Sequence, residues 1–306
     1  MYSSALSLSF LCVLASASNI LITNDDGWAT AQVRQQFDVL SSAGHNVVLS
    51  APALNQSGKS SLSTTPKPLT EPCEFDTCPT GSPAMGFNTS NPRLNYVNGY
   101  PVDAARYGIQ TLAPRFYAGA QPDFVVSGPN VGSNLGLVVL FSGTVGAACE
   151  AARSGIPAAA FSGVSGSEVS YTTLTTDANG TSSVAARIYS DLTATFVGAL
   201  TASGATRPGP LLPAGVIVNV NYAAIDSCPS AASYEWVFSR LVWNVFATDV
   251  HTCGSDHLPT ESTVVDAGCY ASLSVLDAQS KLDANATMQA QVMANLEALS
   301  FTCLPS

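Results

Sequence analysis

Asn19-Ile20-Leu21-Ile22-Thr23-Asn24-Asp25-Asp26-Gly27 is a short apolar strand pattern that empties directly into two adjacent carboxylates and a glycine. In open α/β sheets ligands collect at the carboxyl ends of strands, so this is where such a fold places its chemistry. Two ionised oxygens beside a Gly suit a hard divalent cation, Mg²⁺ or Mn²⁺ foremost and Ca²⁺ as a third candidate. The same residues also read as a helix start with Asp26 as N-cap. The stretch alone leaves both readings open.

Working outward, Trp28 to Ala43 has helical spacing, with Val33, Phe37 and Leu40 on one face and Gly44 as its stop. A second strand is expected over Asn46 to Ser50, and a strand-helix-strand unit with short joints implies parallel pairing and a right-handed crossover. The pattern repeats: helix Val102–Leu112, strand Asp123–Ser127, helix Thr144–Ser154, strand Ile156–Phe161, helix Ser182–Ala202, strand Gly215–Val220. This alternation predicts a single α/β domain, residues 19–306, with a doubly wound, mostly parallel, Rossmann-like sheet. Tyr234 to Val275 reads as β-hairpin material, and Ala284 to Ser300 as a closing helix.

The residues before this domain, Met1 to Ser18, carry no charged side chain and hold the apolar stretch Leu6–Ala17 with small residues behind it. They read as a secretory signal peptide, which implies an extracellular protein. The net charge of −10, with only three lysines, argues against a nucleic-acid duplex or an anionic membrane as partner. Four Asn-x-Ser/Thr sequons, at Asn55, Asn88, Asn179 and Asn285, are compatible with glycosylation on that route. Beyond Cys12, seven cysteines remain. In an oxidising compartment the expectation is Cys73 with Cys78, Cys253 with Cys269 and Cys228 with Cys303, leaving Cys149 as a buried thiol on a helix. A zinc reading of His251, Cys253 and His257 is the alternative use of Cys253.

Three further loops follow predicted strands. Ala51 to Ser60 contains Ser57, an oxygen ligand, with Gly58 and with Lys59, a charge for phosphate. Ser127 to Gly136 offers the side-chain carbonyls of Asn130 and Asn134 among glycines. Phe141-Ser142-Gly143-Thr144 opens a helix, whose free N–H groups and hydroxyls form an anion site. Each loop alone is ordinary turn material. Together they point to phosphate beside a divalent cation. Nucleotide-cofactor and P-loop signatures are missing: no Gly-x-Gly-x-x-Gly follows the first strand, and Gly58-Lys59-Ser60 lacks the earlier glycine. A Gly-x-Ser-x-Gly elbow is also absent, and His45, His251 and His257 lie outside these loops. A haloacid-dehalogenase-type phosphatase would need Asp-x-Asp, whereas Asp25 and Asp26 are adjacent.

These motifs resemble the SurE family, the stationary-phase survival proteins. The resemblance is carried by Ile20 through Gly27, Ala51-Pro52 with Ser57-Gly58, Gly99-Tyr100-Pro101-Val102-Asp103, and Pro122 through Asn130 continuing to Gly155-Ile156-Pro157. It covers residues 19–163, and Ala271–Leu276 is similar to the family's late strand. It implies a metal-dependent phosphatase acting on nucleoside monophosphates and other phosphate monoesters, similar to secreted fungal acid phosphatases. By resemblance Asp25, Asp26, Ser57 and Asn130 hold the metal. Asp25 and Asp26 are the catalytic candidates, and Asp25, as the first carboxylate after the strand, is the better candidate for base or nucleophile. Asn134, Ser142, Gly143 and Thr144 would surround the substrate phosphate, with Gly27, Gly58 and Lys59 completing the substrate set. The departures from the family pattern are Trp28-Ala29-Thr30 after the acidic pair, Pro129 before Asn130, and Tyr100 where Thr is usual. A homodimer is left open. The different-class alternative is a secreted binding protein that keeps the scaffold without turnover.

Overall fold

The computed structural model describes residues 17–206 and 209–305, so most of the expected signal peptide lies outside the described residues. The strands are β1 (Asn19–Thr23), β2 (Asn46–Pro52), β3 (Met85–Asn88), β4 (Asn91–Val97), β5 (Phe124–Val131), β6 (Ala158–Gly163), β7 (Val216–Tyr222), β8 (Glu235–Ser239) and β9 (Tyr270–Asp277). The helices are α1 (Ala31–Ser42), α2 (Pro101–Tyr107), α3 (Ala113–Phe116), α4 (Gly143–Arg153), α5 (Thr173–Thr176), α6 (Thr181–Thr206), α7 (Glu261–Asp266) and α8 (Ala286–Asn295). One sheet joins the strands in the order β3-β4-β2-β1-β5-β6-β7-β9-β8.

Burial on both faces explains the continuous apolar strands. Ile20 and Ile22 of β1, with Phe124 and Val126 of β5, face the layer containing Val33, Phe37 and Leu40 of α1 and Phe196 of α6. Their neighbours Leu21 and Val125 face the opposite layer, with Val145, Ala148 and Cys149 of α4. Alternate side chains of one strand thus feed two cores, as a parallel sheet sandwiched by helices requires.

From β1 the chain goes outward to β2 and β4 on one side and to β5, β6 and β7 on the other, with parallel pairing throughout. The strand order therefore reverses between β1 and β5. The carboxyl ends of these two strands are the place where such sheets bind ligands.

Some expectations are corrected. Helix α1 begins at Ala31 rather than Trp28 because Thr30 is extended, with ψ 151, and serves as the N-cap, its carbonyl accepting the first helical bond from Arg34 N–H (3.2 Å). The strand pair β3–β4 went unread, its pattern being half exposed. Tyr234–Val275 is not a hairpin: β8 and β9 pair in parallel, Glu235 opposite Tyr270, and the connection carries α7. Parallel strands need such a crossover. It is β9 and β7 that run antiparallel.

Cys73 is bonded to Cys78, but the other pairs are Cys228–Cys269 and Cys253–Cys303 rather than those expected. The β8–β9 pairing brings Cys269 beside the entry to β8, where its carbonyl accepts from Glu235 N–H. Phe301, bridged to Trp236, carries Cys303 back to Cys253. With Cys253 in a disulfide the zinc reading fails, and His251 instead contacts Asp256 at 2.6 Å. Cys149 is a free thiol within α4, and burial pushes it up to about 11.

Candidate active site at the switch point

Immediately after β1 the chain turns sharply, and Asn24 holds the turn closed. Its Nδ2 donates to Gly27 O (2.9 Å) and its Oδ1 accepts from Gly27 N–H (3.3 Å). Gly27 adopts φ +109, and a Cβ there would collide with the Glu74 carboxyl group, so only glycine fits. Asn24, Asp25 and Asp26 are all buried. Asp26 is therefore no solvent-facing helix cap.

On the neighbouring strand, β5, the pairing register with β6 shifts between Ser127 and Asn130. Such an irregularity re-aims the side chains that follow it. Asn130 Nδ2 donates to the carbonyls of Val131 (3.0 Å) and Gly132 (2.7 Å), which fixes its Oδ1 toward Thr144 Oγ1 at 3.1 Å. Val131 N–H donates to Asp26 Oδ2 (2.8 Å), tying the two strand ends together.

The third wall is the start of α4. Ser142 caps it, accepting from Val145 N–H (3.1 Å). Thr144 Oγ1 donates to Asp25 Oδ1 at 2.5 Å. A Cβ at Gly143 would lie 2.8 Å from Asp25 Cβ and 2.9 Å from Pro101 Cγ, so glycine lets the helix end close onto the acidic pair. The loop carrying Ser57, Gly58 and Lys59 is tied to the pair through Gln56 N–H on Asp25 O (2.7 Å).

Electrostatically the site is unbalanced. Burial lifts the Asp25 carboxyl above its ordinary range, opposed by hydrogen bonds from Thr144. Burial, then the charge of Asp25, lifts Asp26 further. Asp26 Oδ1 is buried and has no hydrogen-bond partner. A buried carboxylate oxygen without donor or counter-charge is costly, and a cation is the group that relieves it. Among the described residues no three His, Cys, Asp or Glu converge, so a cation here would be held by two carboxylates plus neutral oxygens such as Asn130 Oδ1. That donor set fits a hard, oxygen-seeking ion.

Not every sequence-derived site residue serves the site in the expected way. Asn134 is tied into the scaffold: its Nδ2 donates to Ser162 Oγ (2.8 Å), its main-chain N–H to Asn221 Oδ1 (2.8 Å), and its main-chain carbonyl accepts from Asn219 Nδ2 (3.0 Å) and Asn221 Nδ2 (3.1 Å). The ammonium of Lys59 sits 5.3 Å from the centroid of the Tyr100 ring. Thr144, expected at phosphate, gives its hydroxyl to Asp25. Sequence reasoning missed Asn24, whose position before Asp-Asp-Gly is an Asx-turn signal. It also missed Glu74 and Glu168. Burial, then Glu168, pushes Glu74 up to about 8, and both carboxylates add to the field on Asp26. Nothing in the spacing announces them, because Glu74 and Glu168 lie far along the chain from Asp26 and Gly27.

The whole arrangement lies within residues 20–246, which match the family model for the survival protein SurE. The chain belongs to the SurE family. It is 34% identical over 290 residues to a protein named acid phosphatase from Yarrowia lipolytica, covering 85% of this chain and 79% of that one. A 5'-nucleotidase SurE from Lawsonia intracellularis is 36% identical over 144 residues, 47% of this chain and half of the relative. The crystal structure of the SurE protein from Aquifex aeolicus superposes with a TM-score of 0.59 at 22% identity, covering 85% of this chain and 93% of that one. The SurE sheet is thus present, with helices on both of its faces.

Proposed function

We propose that this SurE-family chain is a divalent-metal-dependent phosphomonoesterase acting on nucleoside monophosphates and other phosphate monoesters. The observation that carries the reading is the acidic pair itself: Asp26 Oδ1 is buried without a partner, and the adjacent Asp25 closes on the N-terminus of α4 at Gly143 and Thr144, which sets a cation position next to an anion position. Kinship with proteins named acid phosphatase and 5'-nucleotidase supports the substrate class.

Asp25, Asp26 and Asn130 would hold the cation, with Ser57 supplied by the loop tied to Asp25. The bound cation would polarise phosphoryl oxygens and acidify a water. Ser142 Oγ accepts from Val145 N–H and so keeps its own O–H free to donate to a phosphoryl oxygen, while the first N–H groups of α4 face the same anion. Asp25 would take the proton of the attacking water. Hydrolysis puts the hydroxyl on phosphorus, breaks the ester P–O bond and returns a proton to the leaving alcohol. Secretion as a single domain is part of this reading, supported by the uncharged, apolar amino-terminal stretch and by three disulfides.

The test is phosphate release from AMP and p-nitrophenyl phosphate by the mature protein, stripped with EDTA and reloaded with Mn²⁺ or Mg²⁺. Activity should return with metal and be lost at least 1,000-fold, on the order expected for removal of an anionic metal ligand pair, in the folded Asp25→Asn, Asp26→Asn variant. Full activity in that variant refutes the site. A wild type that binds Mn²⁺ yet releases no phosphate would favour the silent binding protein.

A further inference from the structure

Lys281, on the turn that follows β9, is buried, with 6% of its surface exposed. Burial holds its ammonium below the ordinary lysine range, and the groups whose charge acts on it are Cys149 and Arg153, neither of them a carboxylate. An ammonium taken out of water without an acidic partner is costly, and a methionine would fill the same space without that cost. The ammonium donates to Ser60 Oγ at 2.8 Å, across 221 positions of sequence.

Ser60 closes the turn that carries Ser57. At the start of that turn Gln56 N–H donates to Asp25 O (2.7 Å) and Asn55 Oδ1 accepts from Ser57 N–H (2.7 Å), while Lys59 N–H donates back to Gln56 O (3.2 Å). At its end Ser60 N–H donates to Phe141 O (3.1 Å) and Ser60 Oγ to Leu140 O (2.5 Å), both in the entry to α4. A Cβ at Gly146 would stand 1.9 Å from Ser60 O, so the turn closes on the helix only because residue 146 is glycine.

Both residues of the Lys281–Ser60 hydrogen bond are left-handed, Ser60 at φ +53 and Lys281 at φ +59. For a residue with a side chain that conformation costs energy, and it persists where the surroundings over-determine it. Glycine at position 60 would relieve the backbone and lose the hydroxyl that joins Lys281 to Leu140. The turn under Lys281 is itself held, with Ser280 N–H on Asp277 Oδ1 (2.7 Å) and Lys281 N–H on Asp277 O (2.8 Å).

Resting on the reading of Asp25, Asp26 and Ser57 as metal ligands, we propose that Lys281 is a positioning residue for the cation site: through Ser60 it fixes the end of the Gln56–Ser60 turn and so holds Ser57 in place beside the acidic pair. The ties at Asn55 and Gln56 secure only the start of the turn. With the far end also secured against α4, Ser57 is ordered before the metal arrives, and less conformational entropy is lost on binding. Lys281 touches neither metal nor phosphate in this role.

The experiment measures Mn²⁺ uptake by the EDTA-stripped mature protein, from the loss of the free-ion EPR signal, in wild type, Lys281→Met, Ser60→Gly, Ser57→Ala and the Lys281→Met, Ser57→Ala double variant. Lys281→Met and Ser60→Gly should each raise the Mn²⁺ Kd about 10-fold, the low end of what losing a residue behind a metal ligand costs. In the Ser57→Ala background Lys281→Met should add less than about 2-fold, because the ligand it positions is gone. Fully additive losses overturn the inference. So does unchanged Mn²⁺ affinity in either folded single variant, even with a lowered melting temperature, since a tie that serves only the fold moves the melting temperature alone. Ser60→Gly suits the left-handed backbone and decides the matter if Lys281→Met does not fold. Unchanged affinity in these variants, with Mn²⁺ lost from the Asp25→Asn, Asp26→Asn variant, overturns the role of Lys281 and leaves the phosphatase reading standing. A wild type that takes up no Mn²⁺ fails the metal site and this inference together.

Discussion

Replacing Thr144 with Val tests which partner its hydroxyl serves. The side chains are nearly isosteric and the position is fully buried, so the change removes one hydroxyl with little loss of packing. In the structure that hydroxyl donates to Asp25 Oδ1 at 2.5 Å and lies 3.1 Å from Asn130 Oδ1. A hydrogen bond to a charged group contributes roughly 1.5–3 kcal/mol. The added methyl returns roughly 0.8 kcal/mol through burial. Thr144→Val should therefore destabilise the metal-free, phosphate-free protein by about 1–2 kcal/mol, or about 2–8 °C in melting temperature for a domain of this size. Differential scanning calorimetry in EDTA measures it, with Thr144→Ser as the variant that retains the hydroxyl and most of the stability. If the hydroxyl served only bound phosphate, the melting temperature in EDTA would not move, and inhibition by inorganic phosphate alone would weaken. That result would refute the assignment of Thr144 to the acidic pair.

Metal-free stability should fall as pH rises from about 4.5 to about 8, because Glu74 titrates near 8 in the folded protein and near 4.5 in the unfolded chain, so the folded state binds more protons across that window. Glu74→Gln should flatten this slope by about 1–2 kcal/mol, allowing for the partial exposure of the carboxyl, as read from urea melts at pH 5 and pH 8. Asn55 should carry no glycan, since its Nδ2 donates to Glu168 at 2.5 Å and its Oδ1 accepts from Ser57 N–H; full occupancy in glycopeptide mass spectrometry of active protein would contradict this. Non-reducing peptide mapping should recover Cys228–Cys269 and Cys253–Cys303, with Cys149 alkylated only after unfolding; recovery of Cys253–Cys269 would mean the β8–β9 pairing is wrong.

The local signals were strong enough to give the architecture. Apolar runs too continuous for a one-sided sheet announced β1, β2, β5, β6 and β7, and the helices between them forced parallel pairing. The acidic pair was legible for the same reason: residues that end a central strand of such a sheet have few places to be. Where pairing depended on partners far along the chain, sequence reasoning stopped. The region of β8 and β9 shows strand propensity whichever direction the strands run, and only the crossover through α7 and the return of Phe301 to Trp236 decide the direction and the disulfides.

The sequence by itself determined that an α/β sheet presents Asp25 and Asp26 at a strand end, because strand periodicity and the short Asn-Asp-Asp-Gly turn are local properties of the chain. Only the tertiary structure decided what surrounds them. Thr144 from a helix start acts on Asp25, Glu74 from a disulfide loop on Asp26, and Glu168 from beyond β6 on both. Their influence comes from distance in space and from exclusion of water, neither of which any spacing in the sequence encodes.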